Sequence, residues 1–330
     1  MIGRRDFITF LGGAAAAWPL AARAQQAVGL PRIGLLLANE ESDRDLQARL
    51  AGLQQGLERL GWSDGRNVRM DYRFSGGNPD RFQPLAQELV AARPNLIIAQ
   101  TPPVVAAVQR ETREIPIVFV DVSDAIGAGF IASLARPGGN LTGLLSFEAS
   151  IVGKWLAMLK EVAPKLAHVA LIGNPKATPF DYFQQAATAM APSLGVDLAP
   201  HRVDSATEIT RAIESAARFS NGGLVFPPDT TIILHRDLVV ALAAQHRLPA
   251  VYPFRTFVEA GGLMSYSIDV VYGYRLLASY VDRILRGAKP ADLPVQTPTK
   301  FETVINLKTA MALGLTLPPD LLVAADEVIE

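Results

Sequence analysis

The sequence contains no cysteine among its 330 residues. This absence excludes disulfide bonds, thiolate metal sites and a cysteine nucleophile. It also excludes the lipidated cysteine that tethers many exported proteins to a membrane. We therefore expect a mature protein that is free in solution.

The sequence also lacks an excess of either charge. It has 31 basic and 32 acidic residues, 49% hydrophobic residues and 19% charged residues. This balance gives no indication of binding to nucleic acid or anionic lipid. The length and the apolar content predict roughly two domains with well-buried cores.

Catalytic motifs are missing as well. The four histidines are dispersed and none has a metal-ligand spacing; they are His168, His201, His235 and His246. The sequence has no nucleophile elbow and no phosphate-binding loop, and the near match to a dinucleotide fingerprint at residues 127–132 is better explained as a helix start with small residues. We therefore expect no enzymatic activity, no metal and no cofactor.

The N-terminus has the three parts of an export signal. Arg4 and Arg5 precede Phe7, an apolar stretch runs to Leu20, and residues 22–24 give a small-x-small exit. The paired arginines predict a twin-arginine signal peptide over residues 1–24 and a periplasmic location after cleavage. An uncleaved membrane anchor is the alternative, but the stretch is shorter than the ~20 residues of a membrane span and Pro19 interrupts it.

After the signal, strand-like apolar runs alternate with amphipathic segments, which favours a parallel α/β architecture with two halves. The predicted strands are Arg32–Ala38, Val68–Phe74, Leu96–Gln100, Ile117–Asp121, His168–Gly173, Val196–Val203, Gly223–Phe226 and Ala250–Tyr252. The predicted helices are Leu46–Leu60, Pro79–Ala92, Pro103–Thr112, Phe180–Leu194, Ala206–Phe219, His235–Arg247 and Tyr274–Arg286.

Four segments carry a family resemblance: GGLMSY from Gly261, ADLPVQTPTKFE from Ala291, INLKTAMALGL from Ile305 and LARPGGNLTG from Leu134. They resemble the ABC-transporter substrate-binding proteins related to tryptophan and tyrosine uptake. The resemblance implies two Rossmann-like lobes with parallel sheets in a type I periplasmic-binding architecture with three hinge crossings.

The same resemblance places the crossings near residues 136–147, 261–267 and 294–304. It implies an N-terminal lobe of residues 31–143 and about 270–293. The C-terminal lobe then takes residues 144–269 and about 294–330, and the helix after the second crossing packs back on the first lobe.

Ligands of open α/β sheets bind beyond the carboxyl ends of the strands, so the loops there hold the candidate ligand-binding residues. They are Asn39, Thr101, Pro102, Asp124, Asn174, Asp229, Tyr252, Ser265 and Tyr266. Six of them have a structural alternative: helix capping for Thr101 and Asp124, turn formation for Asn174 and Asp229, and hinge packing for the two tyrosines.

The resemblance implies a binding component of an ABC importer that delivers a small polar ligand to an inner-membrane permease and its ATPase. Aromatic amino acids are one candidate class, with the carboxylate near Thr101 and Asn39 and the ammonium near Asp124 or Asp229. We expect a monomer. The alternatives are a periplasmic sensor subunit for a membrane receptor and an α/β enzyme acting on a small metabolite.

Overall fold

The computed structural model describes residues 29–330. The predicted signal peptide, residues 1–24, lies outside the described residues. Within residues 29–330, no helix has the length and apolar character needed to cross a membrane.

The first lobe is built on a five-stranded parallel sheet with the order β2-β1-β3-β4-β5. Its strands are β1 (Arg32–Leu37), β2 (Arg69–Phe74), β3 (Leu96–Gln100), β4 (Ile117–Val122) and β5 (Leu141–Leu145). The predicted strands of this lobe end within one residue of the observed ones. Their Val, Ile and Leu content is that of a sheet covered on both faces.

Four helices cover this sheet: α1 (Arg44–Arg59), α2 (Phe82–Ala91), α3 (Pro102–Glu111) and α10 (Val270–Leu285). Alternate side chains of β1 point to opposite faces. Ile33 and Leu35 pack with α1 and α10, whereas Leu36 packs with α2 and α3. Helix α10, although it comes late in the chain, therefore packs on the first lobe.

Glycine allows α1 and α10 to approach each other closely. A Cβ atom built at Gly56 would lie 2.7 Å from the Ala278 Cβ and 2.7 Å from the Arg275 carbonyl oxygen. At Gly52 the same atom would lie 2.9 Å from the Val271 carbonyl oxygen. Side chains at these two positions would push α10 away from α1.

The second lobe has a seven-stranded sheet with the order β12-β11-β10-β9-β8-β6-β7. Its strands are β6 (His168–Gly173), β7 (Asp197–Arg202), β8 (Gly222–Val225), β9 (Ala250–Tyr252), β10 (Met264–Ile268), β11 (Phe301–Asn306) and β12 (Glu327–Ile329). All neighbours are parallel except β10 and β11, which are antiparallel.

The helices of this lobe are α4 (Ile151–Val162), α5 (Phe180–Met190), α6 (Ala206–Ala216), α7 (Thr230–Leu234), α8 (Arg236–Gln245), α9 (Arg255–Glu259), α11 (Leu307–Ala312) and α12 (Pro319–Ala324). Buried side chains of α4 and α5 pack on one face of the sheet, and those of α6 and α8 on the other. The predicted α/β architecture of two lobes with parallel sheets is confirmed.

Three connections join the lobes: residues 146–150 between β5 and α4, Asp269 between β10 and α10, and residues 297–300 before β11. The sequence predicted that the second crossing lies at residues 261–267, and this position is wrong. Residues 264–268 instead form β10, which pairs with β9 and β11 inside the second sheet. The chain leaves that sheet at Asp269, whose carboxylate accepts a hydrogen bond from the Tyr272 N–H and caps α10.

Candidate functional site

A cleft lies between the carboxyl ends of the first-lobe strands and the facing loops of the second lobe. Its empty space, including the part open to solvent, is about 540 Å³. The first lobe contributes Asn39, Arg49, Gln100, Thr101, Pro102, Asp121 and Ser123. The second lobe contributes Ala177, Thr178, Pro179, Pro228, Asp229, Thr230, Ile233 and Phe254. Ser146 and Phe147, in the first connection, also line it.

Four of the predicted site residues line this cleft: Asn39, Thr101, Pro102 and Asp229. They follow β1, β3 and β8, and they lie together because the carboxyl ends of these strands face the cleft. Asn39 donates a hydrogen bond from Nδ2 to the Asp43 carboxylate at 2.8 Å, which fixes its amide at the start of α1.

Two predicted polar residues support the loops around the cleft without lining it. The Asp124 carboxylate accepts a hydrogen bond from the Gly127 N–H at 2.8 Å and lies beside the cleft. Asn174 is buried; its side chain donates to the Thr231 hydroxyl and accepts from the Lys176 N–H. Asn174 thus has the turn-forming role that was its alternative in the sequence, whereas Asp124 stabilises a turn in place of the predicted helix start.

The remaining three predicted residues lie in packed regions, which corrects their assignment to the ligand. Tyr252 is 1% exposed and stacks between Phe226 and Phe257. Ser265 is fully buried in β10. Tyr266 stacks on Phe301 with ring centroids 5.3 Å apart. Each belongs to a strand of the second sheet, where side chains serve the core or the outer face.

A charged pair that was not among the predicted site residues lines the cleft. The Arg49 guanidinium contacts the Asp121 carboxylate at 3.2 Å, and the two side chains are 13% and 15% exposed. Burial lowers the pKa of Arg49 but the Asp121 carboxylate raises it, and the net pKa lies above the ordinary value. Arg49 therefore stays charged, and its other N–H groups can donate to an anionic group of a ligand.

Asp121 is held by neutral donors as well. Its Oδ2 accepts hydrogen bonds from the Gln100 amide at 2.9 Å and the Tyr274 hydroxyl at 2.9 Å. Burial and the Asp121 charge raise the pKa of Tyr274 well above its ordinary value, so the phenol stays protonated and donates. Because Tyr274 lies on α10 and Arg49 on α1, the close packing of these helices positions the pair.

Aromatic rings border the charged pair. The Arg49 guanidinium lies 5.6 Å from the centre of the Phe254 ring, which the second lobe supplies. Phe254 also meets Phe147 edge to face, with centroids 5.7 Å apart. The cleft thus offers a cation, a carboxylate and an apolar face within one small volume.

Burial shapes the chemistry of Asp229 on the second lobe. Burial raises the pKa of Asp229 to about 6, although hydrogen bonds from the N–H groups of Asn174, Ile232 and Thr231 lower it. Asp229 is 2% exposed and caps α7 with its Oδ1. A cationic group in the cleft would favour its ionised form.

Thr101 adopts an unusual backbone conformation at the end of β3. Its φ is 70° and its ψ 151°, and its side chain makes no capping hydrogen bond. The capping alternative for Thr101 is therefore wrong. A β-branched residue in this region is strained, and such strain concentrates at binding and catalytic sites.

We expect the variant Thr101→Gly to be more stable than Thr101→Ala by about 1–2 kcal/mol, because only glycine adopts this conformation without strain. Both variants remove the hydroxyl, so their difference isolates the strain at Cβ. Urea unfolding of the two proteins measures the difference. An alanine variant at least as stable as the glycine variant would show that residue 101 stores no strain.

Residues 29–330 contain no group of three histidine or carboxylate side chains arranged to hold a metal ion.

Residues 41–329 match the family model described as ABC transporter substrate binding protein. A tyrosine-binding protein of Clostridioides difficile is 26% identical over 265 residues, which cover 80% of this chain and 76% of that protein. The crystal structure of an ABC domain from Streptococcus pneumonia in complex with L-Trp has a TM-score of 0.85 and 26% identity, covering 91% of this chain and 100% of the other. A conserved domain protein from Vibrio cholerae gives the same values.

Proposed function

The chain belongs to the ABC transporter substrate-binding protein family, and from this membership and the cleft we propose that it captures an amino acid with a planar side chain for import. The related proteins are binding proteins and not enzymes, in agreement with the sequence prediction. The observation that carries the proposal is the buried Arg49–Asp121 pair beside Phe254.

The proposed ligand spans both lobes. Its carboxylate accepts hydrogen bonds from Arg49 on the first lobe, with Thr101 and Asn39 nearby, because the guanidinium presents five donors and Asp121 occupies only part of them. Its ammonium pairs with Asp229 on the second lobe, since the Asp121 charge is already met by Arg49. Its planar side chain packs on the apolar surface that includes Phe254.

This arrangement couples binding to closure. A ligand held by Arg49 on one lobe and by Asp229 on the other makes all its contacts only when the lobes are together, so it binds the closed form more tightly. The three connections provide the hinge about which the lobes separate. We infer that a monomer in the periplasm presents the closed form to an inner-membrane permease and its ATPase.

The first test is a thermal-shift experiment on the purified exported protein with L-tryptophan, L-tyrosine, D-glucose and adenine. A ligand at about 100 times its Kd should raise the Tm by about 5 °C. We expect this shift with the two amino acids alone.

Two analogues serve as controls for the charged ends: tryptamine lacks the carboxylate, and Nα-acetyl-L-tryptophan lacks the ammonium charge. Neither should shift the Tm at the same concentration. A shift with glucose or adenine, and none with any amino acid, would contradict the proposal.

A further inference from the structure

The hydroxyl of Thr178 stands out in the second-lobe wall of the cleft. Thr178 lines the cleft and is 5% exposed. Its Oγ1 is shielded from solvent and has no hydrogen-bond partner among residues 29–330. A buried hydroxyl without a partner is unfavourable, so a polar group of a bound ligand is the natural partner for it.

The loop that carries Thr178 is held in place by other groups. Its backbone N–H donates to the Asn174 carbonyl at 3.0 Å, and its own carbonyl accepts from the Phe180 N–H at 2.8 Å. The Asn174 N–H in turn donates to the Asp229 carboxylate. The backbone N–H and carbonyl of residue 178 are therefore both hydrogen-bonded within the loop. The hydroxyl is the polar group of Thr178 that remains for a ligand.

The surroundings of this hydroxyl are mostly apolar. Ala177, Pro179, Pro228 and Ile233 line the same wall, with Asp229 and Thr230 as its other polar members, and the charged pair lies on the opposite lobe. A ligand whose charged end binds Arg49 must place its side chain against this wall. Because Asp229 pairs with the ligand ammonium, the Thr178 hydroxyl is the buried polar group of this wall without a partner, and it matches a side chain that is apolar except for one hydrogen-bonding group.

We propose that Thr178 selects amino acids whose planar side chain ends in a hydrogen-bonding group, a phenol hydroxyl or an indole N–H, over phenylalanine. This inference rests on the proposed function, which it deepens by assigning a residue that determines specificity. Sites built to hydrogen-bond a polar group discriminate against the analogue that lacks it, because their own group is then left unpaired.

The test measures Kd by calorimetry for L-tyrosine, L-tryptophan and L-phenylalanine with the wild type and with Thr178→Val, which keeps the side-chain shape. We expect the wild type to bind tyrosine or tryptophan at least about tenfold more tightly than phenylalanine. In Thr178→Val the ratio should fall to about two or less, and the affinity for phenylalanine should stay or rise.

Thr142→Val is the matched control. The Thr142 hydroxyl is also buried but donates to the Leu293 carbonyl at 2.7 Å. This variant should lower the Tm of the ligand-free protein and keep the wild-type ratio of affinities, whereas Thr178→Val should leave the Tm unchanged or raise it.

The inference would be overturned if all three amino acids bind and the ratio of the affinities for tyrosine or tryptophan and for phenylalanine is the same in the wild type and in Thr178→Val. The proposed function would then still stand. Equal affinities of the wild type for the three would do the same. Failure of all three to bind would overturn both.

Discussion

Replacing Arg49 with methionine is expected to weaken the binding of L-tyrosine by about 30- to 3000-fold. Removing one partner of a buried charge pair at a ligand costs about 2–5 kcal/mol, and about 1.4 kcal/mol corresponds to a factor of ten. The loss has two parts. The ligand carboxylate loses its charge-assisted donors, and Asp121 is left as an unpaired negative charge facing that carboxylate. Calorimetry of the folded variant measures the change.

Arg59→Met is the matched control, because Arg59 lies on the same helix, at its exposed end. It should leave the affinity within about twofold, as expected for a surface substitution. A second variant separates folding from binding: Arg49→Met combined with Asp121→Asn removes both charges and should recover stability lost by Arg49→Met alone. The double variant should still bind L-tyrosine weakly. Wild-type affinity in either Arg49 variant would show that Arg49 does not hold the ligand.

Most of the secondary structure could be predicted because buried strands and amphipathic helices leave clear patterns in the sequence. Leu96–Gln100 and His168–Gly173 match their strands residue for residue. Helix α4 was missed although its apolar residues recur at helical spacing, as Val152, Trp155, Leu156 and Leu159 show.

The candidate site could be predicted only in part. The rule that ligands bind beyond the carboxyl ends of strands points to loop residues and not to residues within helices. Asn39, Thr101 and Asp229 follow strands and line the cleft. Arg49 lies within α1, between Leu46 and Leu53 on the buried side. A cation at that spacing is a usable signal, because a buried arginine needs a partner. The sequence around Tyr252 does not show that its ring is enclosed by Phe226 and Phe257, because that contact depends on tertiary packing.

The conformations of the strand ends could not be predicted from the residue types. Thr101 and Asp121 both have positive φ, 70° and 56°, and a β-branched residue is among the least expected there. These backbones are fixed by their surroundings: the Thr101 N–H donates to the Val120 carbonyl, and the Asp121 carboxylate is held by Arg49 and Gln100. Tertiary contacts thus override the local preference.

Asp229 should make the stability of the protein depend on pH between about 4 and 7. Its pKa rises from 3.8 to about 6 on folding, which corresponds to about 3 kcal/mol. Because the folded state binds the proton more tightly, this stability is fully present below about pH 4 and is lost as the pH rises through about 6. Relative to Asp229→Asn, the wild type should therefore lose about 2 kcal/mol between pH 4 and pH 7. Urea unfolding at several pH values measures this difference.

Asp237→Asn removes a carboxylate from the first turn of α8, where the Asp237 side chain is 85% exposed, and should follow the wild type at every pH. A constant difference between wild type and Asp229→Asn would contradict the raised pKa.

The release of protons on ligand binding shows whether the ammonium group of the ligand lies beside Asp229. If it pairs with Asp229, binding of L-tyrosine at pH 6 ionises the carboxyl group and releases about half a proton. Calorimetry in two buffers of different ionisation enthalpy measures this release, and Asp229→Asn should abolish it. Tight binding without proton release by the wild type would place the ammonium away from Asp229, on the Asp121 side of the cleft.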